Sequence, residues 1–230
     1  MKKIVVLSAG PGLPEVVKEY GHSSEWIPDI LSSYNLDFDI RKIYENDFGA
    51  IDNVDSWIIT GSKYSVYDNI EWIKSIKPFL FDIIKTNKPI LGICFGHQLL
   101  AEVLGGKVEK NPMGWELGSY RIKLTLDGHK NSLFDGISDN EIFYESHQDT
   151  VSELPAGSIS LAETEKSNQS FVYNDCVYGV QFHPEFSWKI TRRLMDLRKN
   201  KGVQVDSNIL QESKYGNKVL HNFIQIIESR

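Results

Sequence analysis

Short apolar segments alternate with helical stretches over the first 104 residues, and this alternation restricts the possible folds more than any other feature. Strands are predicted at Lys3–Ser8, Phe38–Tyr44, Trp57–Thr60 and Pro89–Ile93. Helical stretches are predicted at 14–34, 69–86 and 95–104. Strands separated by helices of this length form βαβ units, whose strands run parallel. The pattern therefore predicts a three-layer α/β fold around a doubly wound, mostly parallel sheet.

The second half of the chain has a different pattern, in which short β segments are separated by turn residues. These segments are Arg121–Leu126, Glu141–Glu145, Ser158–Ala162, Ser170–Tyr173 and Val177–Phe182. Asn174-Asp175 is typical of a tight turn between the last two segments. Helices are predicted near Trp188–Lys199 and Tyr215–Glu228. We expect an antiparallel β portion added to the parallel sheet, and a single domain over residues 1–230, because no linker or repeat interrupts the chain.

The charge of the chain is unevenly distributed along its length. The 25 Lys and Arg residues against 31 Asp and Glu residues give a net charge of −6, which disfavours binding to nucleic acid or to an anionic membrane. Residues 187–230 are basic, with nine Lys and Arg against four Asp and Glu. This basic C-terminal helical segment is expected to present a solvated face against the acidic body, with a docking surface for an acidic partner as the alternative.

The cysteine content and the N-terminus bear on where the protein resides. Two cysteines, Cys94 and Cys176, are too few for a disulfide framework, so a reducing cytoplasm is expected. The apolar run near Met1 is about four residues long before Gly10-Pro11-Gly12, shorter than that of a secretory signal. No stretch approaches the roughly 20 apolar residues of a membrane helix. We expect a cytoplasmic protein without membrane association.

The segment Gly92-Ile93-Cys94-Phe95-Gly96-His97-Gln98 stands between a predicted strand and a predicted helix. A nucleophile on such a sharp turn projects from the edge of the sheet. The N–H groups at the start of the helix favour a thiolate at Cys94, and the N–H of Phe95 could stabilise an oxyanion. The alternative is a buried structural cysteine, with the glycines needed only for packing.

A thiol nucleophile requires a base and a group that orients the base. His183 follows an apolar strand, and Glu185 lies two residues further on, with a rigid proline between them. A structural, hydrogen-bonded histidine is the alternative. His147 is a second candidate base, although no carboxylate follows it at the same rigid spacing.

A third predicted strand, Trp57–Thr60, ends in the small residues Gly61 and Ser62. A backbone N–H at this turn could approach a ligand closely and act as a second oxyanion donor. A simple strand-ending turn is the alternative.

In this order the motifs resemble a triad-type class I glutamine amidotransferase domain, and the similarity extends from Lys3 to Phe186. The likeness is greatest to free-standing relatives of the amidotransferase half of GMP synthase, a group that includes γ-glutamyl peptidases. It implies a flavodoxin-like fold, with Cys94 as nucleophile, His183 as general base and acid, and Glu185 as its orienter. The substrate and oxyanion positions that it implies are Phe95, Gly61 and Ser62 for the oxyanion hole, Gln98 for the γ-glutamyl part, and Ser146, His147, Gln148 and Asp149 for its α-amino and α-carboxyl groups.

The resemblance implies hydrolysis of a γ-glutamyl amide through a thioester, with no metal and no cofactor. Ser62 stands at the position where the family often carries a second glycine. No synthetase domain follows the matching region. Glutamine or another γ-glutamyl compound is the implied substrate. Three functions stay open: a glutaminase that passes ammonia to a partner synthetase in trans, a self-sufficient γ-glutamyl peptidase, and a non-catalytic regulatory subunit.

Overall fold

A computed structural model describes the chain from Met1 to Arg230. The helices are α1 (Pro14–Tyr20), α2 (Ser23–Ile30), α3 (Glu71–Lys85), α4 (Phe95–Val103), α5 (Trp188–Asn200) and α6 (Lys218–Glu228). The first six strands are β1 (Lys2–Ser8), β2 (Leu36–Lys42), β3 (Ser56–Ile59), β4 (Ile90–Ile93), β5 (Lys107–Lys110) and β6 (Glu116–Arg121). The others are β7 (Lys123–Leu124), β8 (Ile142–His147), β9 (Asp149–Glu153), β10 (Ser158–Glu163), β11 (Asn168–Tyr173) and β12 (Val177–Val180).

The central sheet has eight strands in the order β2-β1-β3-β4-β12-β11-β10-β7. The first five are parallel to one another, and the last three extend the sheet with antiparallel pairs. A tight turn at Asn174 and Asp175, both with positive φ, joins β11 to β12. The sheet confirms the predicted, mostly parallel architecture with its antiparallel addition.

Helices cover both faces of this sheet. Its central strands are apolar on both sides, and helices on both faces keep these side chains from water. Helices α3 and α4 pack with Trp57 and Ile59 of β3 on one face. Helices α2 and α6 pack with Ile58 of the same strand on the other face. The result is the predicted three-layer α/β fold. None of the six helices combines the length and the apolar character that a membrane crossing requires.

Two small sheets differ from the sequence prediction. Strand β5 pairs with β9, and β6 pairs with β8, whereas β5, β6 and β9 were not predicted. The predicted strand Arg121–Leu126 is wrong in its bounds: it is replaced by β6, which ends at Arg121, and by the two-residue β7. Glu116, Leu117 and Gly118 of β6 are all buried in succession, so this strand lacks the regular alternation of apolar and polar residues by which strands are predicted.

The basic helix α5 lies against α1, where Ile190, Leu194 and Leu197 pack on Val16. Arg193 places its Nη2 atom 2.7 Å from Oε1 of Glu19 on α1. The apolar face of α5 and this ion pair both hold the helix against the acidic body.

Candidate active site

Cys94 lies on a strained turn between β4 and α4. Its φ is 51°, a conformation that residues with a Cβ atom avoid unless the surroundings impose it. Two glycines allow the chain to pack at this turn. A Cβ atom on Gly92 would collide with the backbone of Gly96, and one on Gly96 would lie 2.5 Å from the carbonyl oxygen of Ile59. The turn therefore raises the Cys94 side chain at the carboxyl edge of the parallel sheet, as the sequence predicts.

His183 lies just beyond β12, the strand next to β4, and its ring is held on several sides. Nδ1 lies 2.8 Å from Oε1 of Glu185, and the ring stacks on Phe186 with 3.8 Å between centroids. The His183 backbone N–H donates to the carbonyl oxygen of Tyr144 at 2.8 Å. Both His183 and Glu185 are buried. Because Glu185 occupies Nδ1, Nε2 is the ring nitrogen that remains for Cys94.

The environment of His183 favours its charged form. Burial lowers its pKa, but the Glu185 carboxylate and the Cys94 sulfur outweigh burial and raise the pKa of His183 to about 10. At neutral pH the ring therefore carries a proton beside the sulfur atom.

The turn after β3 brings Gly61 against both groups. A Cβ atom on Gly61 would lie 2.8 Å from Cε1 of His183 and 3.6 Å from the Cβ atom of Cys94. Glycine therefore leaves open the space between the sulfur and the imidazole. The next side chain, Ser62, accepts a hydrogen bond from the Tyr64 backbone N–H at 3.3 Å. Phe95 is the first residue of α4, and an N–H in that position has no partner within its helix.

Two clefts meet at this place. The first, which we call the polar cleft, is lined by Cys94, Phe95, Gln98 and the segment 146–149, together with the segment 62–65, Trp115 and Arg198. The second, which we call the apolar cleft, contains His183 and Glu185 and has walls formed by Leu13, Val16, Val17, Trp26, Phe186 and Leu194. The structure thus brings together all the residues that the sequence predicts for the site.

Gln98 and Asp149 form the floor and one wall of the polar cleft. The Gln98 Nε2 atom donates to the carbonyl oxygen of Asp149 and to Oε1 of Gln181, each at 3.0 Å. The Asp149 carboxylate accepts hydrogen bonds from Ser65 Oγ at 2.5 Å and from the Tyr67 hydroxyl at 2.9 Å. These bonds hold the Asp149 carboxylate in the cleft that Cys94 also lines.

His147 lines the polar cleft but differs from its predicted role as a second candidate base. Its side chain is 2% exposed, and Nε2 lies 3.2 Å from Glu116 and 3.1 Å from Glu145. Nδ1 lies 2.9 Å from the carbonyl oxygen of Asp149. Burial opposes the charge of His147, but the two carboxylates raise its pKa well above the usual range. Both ring nitrogens face acceptors of the protein itself, so neither is placed to act as a base for Cys94.

Several residues near the site were not recognised from the sequence, among them Arg198, Trp115 and Asn217. Arg198 of α5 lines both clefts, and its guanidinium carbon lies 4.8 Å from the centre of the Trp115 ring. Asn217 donates from Nδ2 to the carbonyl oxygen of Pro184 at 2.7 Å, which holds the turn between His183 and Glu185. No local motif marks these residues, and the basic charge of the segment around Arg198 was the only signal. No group of three or more His, Cys, Asp or Glu side chains is arranged to hold a metal ion.

Comparison with known proteins identifies the family. Residues 16–200 match the family model for class I glutamine amidotransferases. The chain therefore belongs to the class I glutamine amidotransferase family, which confirms the predicted class of enzyme.

Three relatives illustrate the range of the family. The chain is 30% identical to a glutamine amidotransferase-like protein of Schizosaccharomyces pombe, covering 84% of this chain and 82% of the relative. It is 28% identical to γ-glutamyl peptidase 5 of Arabidopsis thaliana, over 79% of this chain and 74% of the peptidase. It is also 41% identical to a glutamine-hydrolysing GMP synthase of Clostridium novyi, over 56% of this chain but only 24% of the synthase.

A solved structure supports the fold. The crystal structure of a glutamine amidotransferase from Thermotoga maritima superposes with a TM-score of 0.77 and 24% sequence identity, covering 100% of this chain and 97% of the other. At this identity the likeness concerns the fold alone.

Proposed function

We propose that the protein hydrolyses a γ-glutamyl amide, with Cys94 as nucleophile, His183 as general acid and base, and Glu185 as the group that orients His183. One observation carries the proposal: the His183 imidazole is fixed through Nδ1 by Glu185, 2.8 Å away, and the ring and Cys94 of the strained turn both border the open position beside Gly61. A nucleophile, its base and an orienting carboxylate in this sequence of contacts can form and break an acyl bond.

In the first half of the reaction, the Cys94 sulfur attacks the carbonyl carbon of the γ-amide. The carbonyl oxygen becomes an oxyanion, which the N–H groups of Phe95 and of the Gly61-Ser62 turn stabilise. The intermediate then collapses, its C–N bond breaks, and His183 transfers its proton to the departing amine. The products are a free amine and a γ-glutamyl thioester on Cys94.

In the second half, water replaces the amine beside His183. The now neutral imidazole removes a proton from the water as its oxygen attacks the thioester carbon. The C–S bond breaks, Cys94 departs as a thiolate, and His183 is protonated again. The γ-carboxylate of glutamate is released, so each cycle consumes one water molecule and needs neither a cofactor nor a metal.

The polar cleft fits the γ-glutamyl part of the substrate. The Asp149 carboxylate, held by Ser65 and Tyr67, can pair with the α-ammonium group. Lys63 lines the same cleft and can attract the α-carboxylate. Gln98, Ser146 and Gln148 complete the polar walls. His147 acts beneath them by holding the backbone of Asp149.

The released amine defines two candidate functions. A glutaminase that delivers ammonia to a partner synthetase in trans is supported by the similarity to GMP synthases, of which the chain covers about a quarter. A self-sufficient γ-glutamyl peptidase is supported by the similarity to γ-glutamyl peptidases and by the apolar cleft beside His183. The complete set of Cys94, His183 and Glu185 disfavours a non-catalytic regulatory subunit.

The proposal is tested by incubating the purified protein with glutamine and, separately, with γ-glutamyl dipeptides, and by measuring glutamate and ammonia. Cys94→Ala should lower kcat at least about 10³-fold, because the covalent route is lost. Cys176→Ala is the matched control, since that buried thiol lies outside both clefts and should leave kcat unchanged. Turnover by Cys94→Ala at the rate of the unmodified protein would reject Cys94 as nucleophile. Absence of turnover on every γ-glutamyl compound would support the regulatory alternative.

A further inference from the structure

The nucleophile and the acid of the proposed reaction line different clefts. Cys94 lines the polar cleft and not the apolar cleft. His183 and Glu185 line the apolar cleft and not the polar cleft. Only four residues border both clefts: Ser62, Lys63, Ser146 and Arg198. The two clefts therefore meet at the reacting groups.

This division assigns the two parts of a substrate to different clefts. The carbonyl carbon must contact the Cys94 sulfur, and the amide nitrogen must receive its proton from His183. The scissile C–N bond therefore crosses the border between the clefts. With the γ-glutamyl part in the polar cleft, the departing amine lies in the apolar cleft.

The apolar cleft is larger than ammonia requires. Its cavity volume is about 90 Å³, whereas a molecule of the size of water or ammonia needs about 10–15 Å³ on the same measure. Leu13, Val16 and Val17 come from α1 and the turn before it, and Trp26 comes from α2. An amine with an apolar substituent would cover these side chains, whereas ammonia would leave them in contact with water.

Arg198 stands at the border with an unpaired positive charge. Its guanidinium lies over the Trp115 ring, its Nε atom is buried without a hydrogen-bond partner, and no carboxylate lies within ion-pair distance. Burial lowers the pKa of Arg198, and the Cys94 charge opposes that change. Its neighbours on the same helix differ, because Arg193 pairs with Glu19 and Arg192 with Asp196. A partly buried guanidinium without a partner is costly, and a planar cation of this kind suits a carboxylate.

The other charges of the apolar cleft do not supply that partner. Glu185 is the only carboxylate that lines it, and Glu185 is engaged with His183. Besides the His183 imidazolium, which is paired with Glu185, the only other cation is Lys63, whose side chain is exposed to solvent. Arg198 is therefore the one unpaired cation that is partly desolvated and borders the place assigned to the amine.

We propose that Arg198 binds a carboxylate of the leaving amine, so that the preferred substrates are γ-glutamyl amino acids or short γ-glutamyl peptides with an apolar residue after the scissile bond. This inference rests on the proposed hydrolysis and extends it, by making Arg198 a residue that determines specificity. The apolar cleft takes the side chain of the released residue, and Arg198 takes its carboxylate.

The experiment compares two substrates that differ in one charge, γ-glutamyl-leucine and γ-glutamyl-leucinamide. The unmodified protein should have a kcat/KM at least about tenfold higher for the carboxylate, because one charge-assisted contact is lost with the amide. Arg198→Gln should bring the ratio of the two values close to one. Arg198→Lys, which keeps the charge, should retain part of the preference. Arg192→Gln is the matched control, because Arg192 lines neither cleft, and it should leave the ratio unchanged.

Several outcomes would overturn the inference. Equal kcat/KM values for the two substrates in the unmodified protein would show that no group recognises the leaving carboxylate. An equal loss on both substrates in Arg198→Gln, with the ratio preserved, would place Arg198 on the α-carboxylate of the γ-glutamyl part or in the fold, and unfolding midpoints separate those cases. Cleavage of glutamine but of neither leucine compound would also overturn it. A failure of the proposed hydrolysis has a different signature: neither glutamine nor the two leucine compounds are cleaved by the unmodified protein, or cleavage persists in Cys94→Ala.

Discussion

The molecule contains two buried histidines in contact with carboxylates, His183 beside the apolar cleft and His147 beneath the polar cleft. His183 contacts one carboxylate, Glu185, through Nδ1 and leaves Nε2 for Cys94. His147 contacts two carboxylates through Nε2, and its Nδ1 is bound to the backbone of Asp149. The environment raises the pKa of both rings. Ionisation therefore does not distinguish them, and the difference lies in whether one nitrogen is available to a reacting atom.

The largest effect is expected from the histidine with the available nitrogen. His183→Gln should lower kcat about 10³-fold on any γ-glutamyl substrate, because a glutamine can neither protonate the amine nor activate water. Steady-state kinetics at saturating substrate measures this loss. His221→Gln is the control, since His221 of α6 contacts the Tyr34 hydroxyl and lines neither cleft. The kcat of this variant should be unchanged. A His183→Gln variant with undiminished kcat would remove His183 from the mechanism.

The histidine with both nitrogens engaged should matter for stability. His147→Gln leaves Glu116 and Glu145 buried without their cation, which should reduce the free energy of unfolding by about 3–5 kcal/mol. Urea denaturation followed by circular dichroism measures the change. The matched control is His129→Gln, because His129 pairs with Asp139 at 3.3 Å on the surface, and such exposed pairs contribute little. Equal stability of His147→Gln and the unmodified protein would contradict a charged cluster.

A smaller effect is expected from pH, through Glu145. Burial raises the pKa of Glu145 from 4.5 to about 7, although His147 partly opposes the rise. Because the folded pKa exceeds the unfolded value, the folded state favours the protonated acid. The stability that this group contributes is fully present below pH 4.5 and is lost as pH rises through about 7. The loss amounts to about 3 kcal/mol.

Glu145→Gln isolates this contribution, because the amide cannot ionise. As pH rises from 5 to 8, the free energy of unfolding of the variant should increase relative to that of the unmodified protein. The increase should roughly equal the stabilisation that Glu145 ceases to contribute to the unmodified protein. Denaturation curves at several pH values measure the difference. Glu153→Gln is the control, since the Glu153 side chain is 71% exposed. A stability difference between Glu145→Gln and the unmodified protein that does not change with pH would mean that Glu145 does not titrate in this range.

The parallel part of the fold was predictable because its signals are local. Ile4, Val5, Val6 and Leu7 are fully buried in one continuous run, and such a run marks a central strand wherever it occurs. The small sheets lack this signal, since β5 consists of half-exposed, mostly charged residues. They form only because a partner strand, distant in sequence, satisfies their hydrogen bonds.

The same contrast applies to the site. Cys94, His183 and Glu185 stand in compact motifs that combine a turn, a strand end and the reactive side chain. Arg198 acquires its position from Trp115, 83 residues away in the chain, and the contacts of His147 depend on Glu116 in the unpredicted strand β6. Sequence patterns of period two or 3.6 carry no information about such distant contacts.

The hydrogen bond from Asn217 to the Pro184 carbonyl has a consequence for biosynthesis. The Cys94 N–H donates to the carbonyl oxygen of Val180 at 2.8 Å, so the Cys94 turn is complete once β12 has joined the sheet. The turn that carries His183 and Glu185 is held by Asn217, more than 30 residues later in the chain. During synthesis on a ribosome, the Cys94 turn can therefore form before the turn that carries His183 is held in position. Under the proposed mechanism, activity is then acquired late in synthesis, and an incomplete chain holds the proposed nucleophile without a positioned acid.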